Sequence, residues 1–128
     1  MSEPNPQPQV VFVLEKIYSK DSSYEAPSAP QVFLEPKAPE VSVQLSVGHT
    51  AVDVAQGLYE AVLTVTVTAK HDDKSVFLVE VHQAGLFRIQ NVPGEDLPKV
   101  MEIACPNVLL PFARQTINAL VEGGGFPQ

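Results

Sequence analysis

Three histidines, one cysteine and two adjacent acid pairs are the groups in this sequence whose chemistry could serve catalysis or hold a metal. Tetrahedral zinc sites take Cys and His at short, fixed separations, and His49, His71, His82 and Cys105 show no such spacing. The expected settings of the histidines are a loop, a hairpin tip and the polar face of a strand. Cys105 stands just before a predicted helix, where the positive end of the helix dipole could stabilise a thiolate. A small buried residue at a helix start is the alternative. The acid pair Asp72-Asp73 suits a hairpin turn, and Glu95-Asp96 a turn or helix start. No Gly-rich phosphate loop, nucleophile-elbow serine, zinc-protease helix or paired-cysteine motif occurs. No catalytic constellation, cofactor or metal is expected.

Composition narrows the classes further. A length of 128 residues suits one domain with a core that needs no disulfide or metal. Apolar residues at 45% against charged residues at 18% exclude a disordered chain. A net charge of −7 argues against nucleic acid or an anionic membrane surface as partner, since both need clustered Lys and Arg. The longest apolar run, Val10 to Leu14, is far short of the roughly 20 residues that span a bilayer. Residues 1–9 are polar and proline-rich, without the basic start and apolar stretch of a targeting segment. They are expected to form a disordered tail ahead of a single domain over 10–128, in the cytoplasm.

Four strand-like segments come first. Val10 to Ser19 is β-rich but alternates poorly, which predicts a bulge. Val41, Val43, Leu45 and Val47 alternate with Ser42, Gln44 and Ser46. Leu58 to Lys70 repeats the pattern with Val and Thr. Val76 to Ile89 places Phe77, Val79 and Val81 opposite Leu78, Glu80 and His82, with a bulge expected at Gly85. Lys70 to Ser75 is a hairpin and Gly48 to Gly57 a longer loop. Tyr24 to Glu40 carries Pro27, Pro30, Pro36 and Pro39, which predicts an extended crossover without helix. The period then changes. Leu97 to Ala104 fits a short helix with Pro98 in its first turn. Pro106 fits the start of a longer one, with a stripe at Leu109, Phe112, Ala113, Thr116, Ile117, Leu120 and Val121, a kink or delayed start at Pro111, and an end at Gly123. The expected fold is α+β: a four-stranded antiparallel sheet with a long helix on one face. One helix cannot cover the apolar face of four strands, so an oligomer or a ligand surface is expected.

Five stretches, in order, resemble the SecB family of export chaperones. They are Ile17-Tyr18-Ser19-Lys20-Asp21-Ser22-Ser23-Tyr24-Glu25-Ala26-Pro27, Leu58-Tyr59-Glu60-Ala61-Val62-Leu63-Thr64-Val65-Thr66-Val67, Glu80-Val81-His82-Gln83-Ala84-Gly85-Leu86-Phe87, Cys105-Pro106-Asn107-Val108-Leu109-Leu110-Pro111-Phe112-Ala113-Arg114 and Gly125-Phe126-Pro127. The resemblance implies a homotetramer, a dimer of dimers, that binds unfolded preproteins without ATP and delivers them to the SecA motor. It implies a SecA-binding surface at Asp21, Glu25, Leu78 and Glu80. Leu78 is the apolar member of an otherwise polar strand face; a scattered surface leucine is the other reading.

For the client groove, the crossover match points to Phe33, with Val32 and Leu34 beside it; Phe33 could equally plug this domain's own core. The helix matches the one the family packs between dimers, which places Leu109, Phe112, Ala113, Ile117 and Leu120 at an oligomer interface. Two departures stand out. The stretch Leu34 to Pro39 lacks the Trp that the family's crossover often carries, and the family's C-terminal helix and acidic tail are expected to be missing after Gln128. A small apolar-ligand carrier built on the sheet is the alternative function, and a purely structural scaffold a third.

Overall fold

The computed structural model describes residues 9–127. Strands β1 (Val11–Glu25), β2 (Glu40–Asp53), β3 (Leu58–His71) and β4 (Lys74–Gln90) form one antiparallel sheet in the order β1-β4-β3-β2. Helix α1 (Leu97–Lys99) runs through a π-helical turn (Val100–Ala104) directly into α2 (Cys105–Gly123). The Val/Thr alternation of β3 is the simplest cause of the sheet's two-sidedness. Ala61, Leu63, Val65, Val67 and Ala69 are buried, while the residues between them face the other way, half-exposed. On β4, Phe77, Val79, Val81, Phe87 and Ile89 continue the buried face, and the helix lies over it through Met101, Cys105, Leu109, Ala113 and Val121.

The β3–β4 hairpin is tighter than the expected connection from Lys70 to Ser75. His71 pairs with Lys74, and Asp72 takes φ 53°, a left-handed position that a short polar side chain tolerates. The predicted bulge in the first strand is present, as register shifts between Leu14 and Lys16 and between Ser19 and Asp21. The buried Gln83 amide donates to the Tyr18 carbonyl oxygen (3.1 Å) beside the second shift, so the irregular backbone keeps a partner.

Several boundaries differ from expectation. The first strand does not end at Ser19: Lys20 to Glu25 have weak strand propensity, yet pairing with β4 carries them on to Glu25. β2 extends past Val47 to Asp53, so most of the predicted loop, His49 included, is strand. Only a 3-10 turn at Val54–Gln56 remains, in which the Asp53 carboxylate accepts from the Gln56 N–H (3.2 Å). The crossover is not wholly extended. It holds a 3-10 turn at Gln31–Leu34, short enough to fit between Pro30 and Pro36. The two predicted helices are one continuous rod, because the π turn carries the backbone from Lys99 to Cys105 without a break; Pro111 lies within α2 and does not end it. No register shift occurs at Gly85. A Cβ there would lie 2.7 Å from the Phe87 ring, 3.0 Å from Leu109 Cδ2 and 3.1 Å from Leu14 Cδ1, so this glycine marks where the helix presses on the sheet. Of the tail expected over 1–9, residues 1–8 lie outside those described, and Gln9 is held: its carbonyl accepts from Asn91 Nδ2 (2.8 Å).

Candidate functional site

The two faces of the sheet present different chemistry. On the helix side, Val41, Val43, Leu45 and Val47 pair with Ala69, Val67, Val65 and Leu63, and therefore continue the core face outward. The helix does not cover them, and they are 41–58% exposed. Among the described residues β2 pairs only with β3, so its outer edge there carries unpaired backbone donors and acceptors beside this apolar row. At one end of the sheet an aromatic chain links distant segments. Tyr24 stacks on Phe77 (6.4 Å between centroids), Phe77 meets Phe126 (5.1 Å) and Phe126 meets Phe33 (5.0 Å). Phe33 closes on Phe126 and Gly125 with one side of its ring and remains 47% exposed. Leu34 is 85% exposed. A cleft of about 680 Å³ opens between the crossover and the β3–β4 turn. Glu35, Lys37, Asp72, Asp73 and Lys74 line it, so it is no closed apolar cavity of the kind a carrier of apolar ligands needs.

The opposite face is polar. Leu78 pairs with Glu25, Glu80 with Ser23 and His82 with Asp21, so Asp21, Glu25, Leu78 and Glu80 form one continuous patch. Asp21 and Glu25 thus sit within β1, not beyond its end as expected. His82 Nε2 lies 3.0 Å from the Glu80 carboxylate and its Nδ1 3.1 Å from the Thr64 hydroxyl. Further along, the Tyr18 hydroxyl and Lys20 Nζ both donate to Glu60, at 2.6 and 3.1 Å, crossing β4 over the small Ala84. Burial, and then the Glu60 carboxylate, push the Tyr18 phenol up to about 12. The Tyr18 hydrogen bond and Lys20 hold Glu60 below the usual carboxylate range, although burial opposes them. Among the described residues no group of three His, Cys, Asp or Glu could hold a metal ion, and no helix is long and apolar enough to cross a membrane.

A family model described as SecB, preprotein translocase subunit SecB, matches residues 5–128. The chain belongs to the SecB family. It is 55% identical over 124 residues to the protein-export protein SecB of Dechloromonas aromatica, covering 97% of this chain and 79% of that one. The protein-export protein SecB of Chromobacterium violaceum is 52% identical over 119 residues, covering 93% and 78%. Among solved structures, a SecB-like chaperone of Mycobacterium tuberculosis, in complex with a ChAD peptide from an antitoxin, matches with a TM-score of 0.76 over 91% of this chain and 86% of that one. Its sequence is 13% identical, so that likeness bears on the fold alone. The chain is a SecB protein-export chaperone, and the carrier reading is set aside.

The SecB residues expected from sequence divide into those at the surface and those the subunit uses itself. Val32 is buried in the core and also lines the cleft beneath the crossover. Leu109 and Ala113, expected between subunits, are fully buried where α2 packs on this subunit's own sheet. Ile117 and Leu120 are half-buried against the same core, and Phe112 stays 39% exposed. The β2 row was missed as a surface. Its alternation was plain, but alternation alone does not say whether a face is covered. Ile103 and the Tyr18–Lys20–Glu60 cluster were missed too, since they depend on helix phase and strand register.

Cys105 is fully buried in mid-rod, with no free helix start to stabilise a thiolate, and burial pushes its thiol up to about 12. A thiol reagent at pH 8 is therefore expected to leave native protein unlabelled and to label it fully in denaturant. Rapid labelling of native protein would mean that the helix lifts off the sheet.

Proposed function

We propose that this SecB chain works as a cytoplasmic homotetramer, a dimer of dimers, that holds unfolded preproteins without ATP or chemistry and delivers them to SecA. The observation that carries this reading is the separation of an open apolar row on one face of the sheet from an acidic patch on the other. Val41, Val43, Leu45 and Val47, with Phe33 and Leu34 at the crossover, suit the apolar side chains of an extended client. The free edge of β2 suits its backbone. Fully burying one Val or Leu contributes about 1.5–3 kcal/mol, so several partial contacts retain a client without selecting a sequence. Phe112 and Ile103 project from the helix side and are among the apolar groups available between subunits, with Ile117 and Leu120 at the margin.

The patch of Asp21, Glu25 and Glu80 around Leu78 suits a basic or mixed segment of SecA. Exposed carboxylates raise the on-rate and the central leucine supplies area to bury. Light scattering is expected to give the mass of four copies, and ATP-free protein to suppress aggregation of an unfolded preprotein stoichiometrically. Calorimetric titration of SecA into the Asp21→Lys, Glu80→Lys variant is expected to show weakened binding, more so at low salt, with client holding retained. Undiminished SecA affinity at low salt would refute the docking assignment, and a stable monomer would refute the tetramer.

A further inference from the structure

His82 stands in the middle of the patch just described but is not one of the residues the resemblance assigned to it. Histidine is the side-chain type that changes charge in the physiological pH range, and His82 is the histidine of this patch. Its ring joins two strands, touching Glu80 on its own strand and the Thr64 hydroxyl on β3. From β1 it faces Asp21 by register. Lys20, next to Asp21 in sequence, is engaged by Glu60 at 3.1 Å.

We infer that His82 sets the negative charge of this face and thereby the pH range over which the face captures a basic partner. The inference rests on the docking reading above. The geometry lets the charge change without a structural change. In the neutral ring, Nε2–H donates to Glu80 and Nδ1 accepts from the Thr64 hydroxyl. In the protonated ring both nitrogens donate, and the Thr64 hydroxyl turns to accept. Each state keeps both hydrogen bonds. The added proton offsets one of the three carboxylates, Asp21, Glu25 and Glu80, and directly screens the one it touches. A basic segment then meets a weaker field, and its association slows.

The test is calorimetric titration of SecA, at low salt, at pH 8 and pH 5.5, into the parent tetramer and into His82→Gln. Glutamine can still reach Glu80 and Thr64 but does not titrate. The parent is expected to lose roughly fivefold more affinity than His82→Gln between the two pH values, as for one unit charge a few ångströms away in a mostly aqueous setting. Titrating groups of SecA contribute equally to both and cancel in the comparison. Equal pH dependence in the two proteins overturns the inference. Leu78→Arg at pH 8 separates the two ways of failing. If it leaves affinity unchanged, the docking face itself is misplaced and the inference falls with it. If it abolishes binding while parent and His82→Gln share one pH profile, the face stands and His82 has no part in it.

Discussion

Leu109→Ala is expected to destabilise the subunit by about 3–5 kcal/mol, a large share of the roughly 5–15 kcal/mol that holds a domain together. Leu109 is fully buried, and its Cδ2 lies 3.0 Å from where a side chain on Gly85 would begin. Truncation therefore empties a point where helix and sheet pack closely. The gap cannot close by moving β4, which is paired along its length with β1 on one side and β3 on the other. Chemical denaturation followed by circular dichroism should show a lower midpoint with an unchanged slope. A loss below 1 kcal/mol would mean that the helix is only loosely seated.

The pair Val43→Lys, Leu45→Lys is expected to abolish client holding while leaving the subunit folded. Both side chains are more than half exposed, so charging them removes little from the core. Against a client they act twice, deleting apolar area in the middle of the row and placing two ammonium groups where apolar side chains would be buried. At about 1–1.5 kcal/mol for each half-buried side chain, the lost area alone weakens binding by roughly 30- to 150-fold. The measurement is the ratio of chaperone to unfolded preprotein needed to suppress aggregation, beside the thermal unfolding of the variant. Holding unchanged in a folded variant would move the client site off β2.

Strand identity and sheet sidedness were legible because they follow from period-two patterning, strong in β3 and in Val41 to Val47. What patterning could not reveal was coverage. The row on β2 has the same alternation as β3, yet one is core and the other is open, because a single helix is narrower than four strands. The same gap misplaced Leu109 and Ala113. A helix stripe says which side is apolar, not whether that side meets its own sheet or another subunit. Lys20 to Glu25 were lost for a different reason. Their local propensity is poor, and only the non-local ladder to β4 makes them strand. That ladder is also what draws Asp21 and Glu25 up to Leu78 and Glu80, residues more than fifty positions away in sequence.

The π turn at Val100–Ala104 has a consequence for how this segment can vary. Such a turn closes its hydrogen bond one residue later than an α turn, so it behaves as a single residue inserted into an otherwise continuous helix. Each residue of an α-helix rotates the chain by about 100°. Deleting any one of the five would let the rod run as α throughout, but would turn everything before it by about that angle relative to Cys105 and Leu109. Met101, now buried, would swing away from the sheet, and an outward neighbour would take its place. Substitutions here can be mild. A change of length, even with every side chain type retained, is a change of phase, and the segment stores its orientation as a residue count.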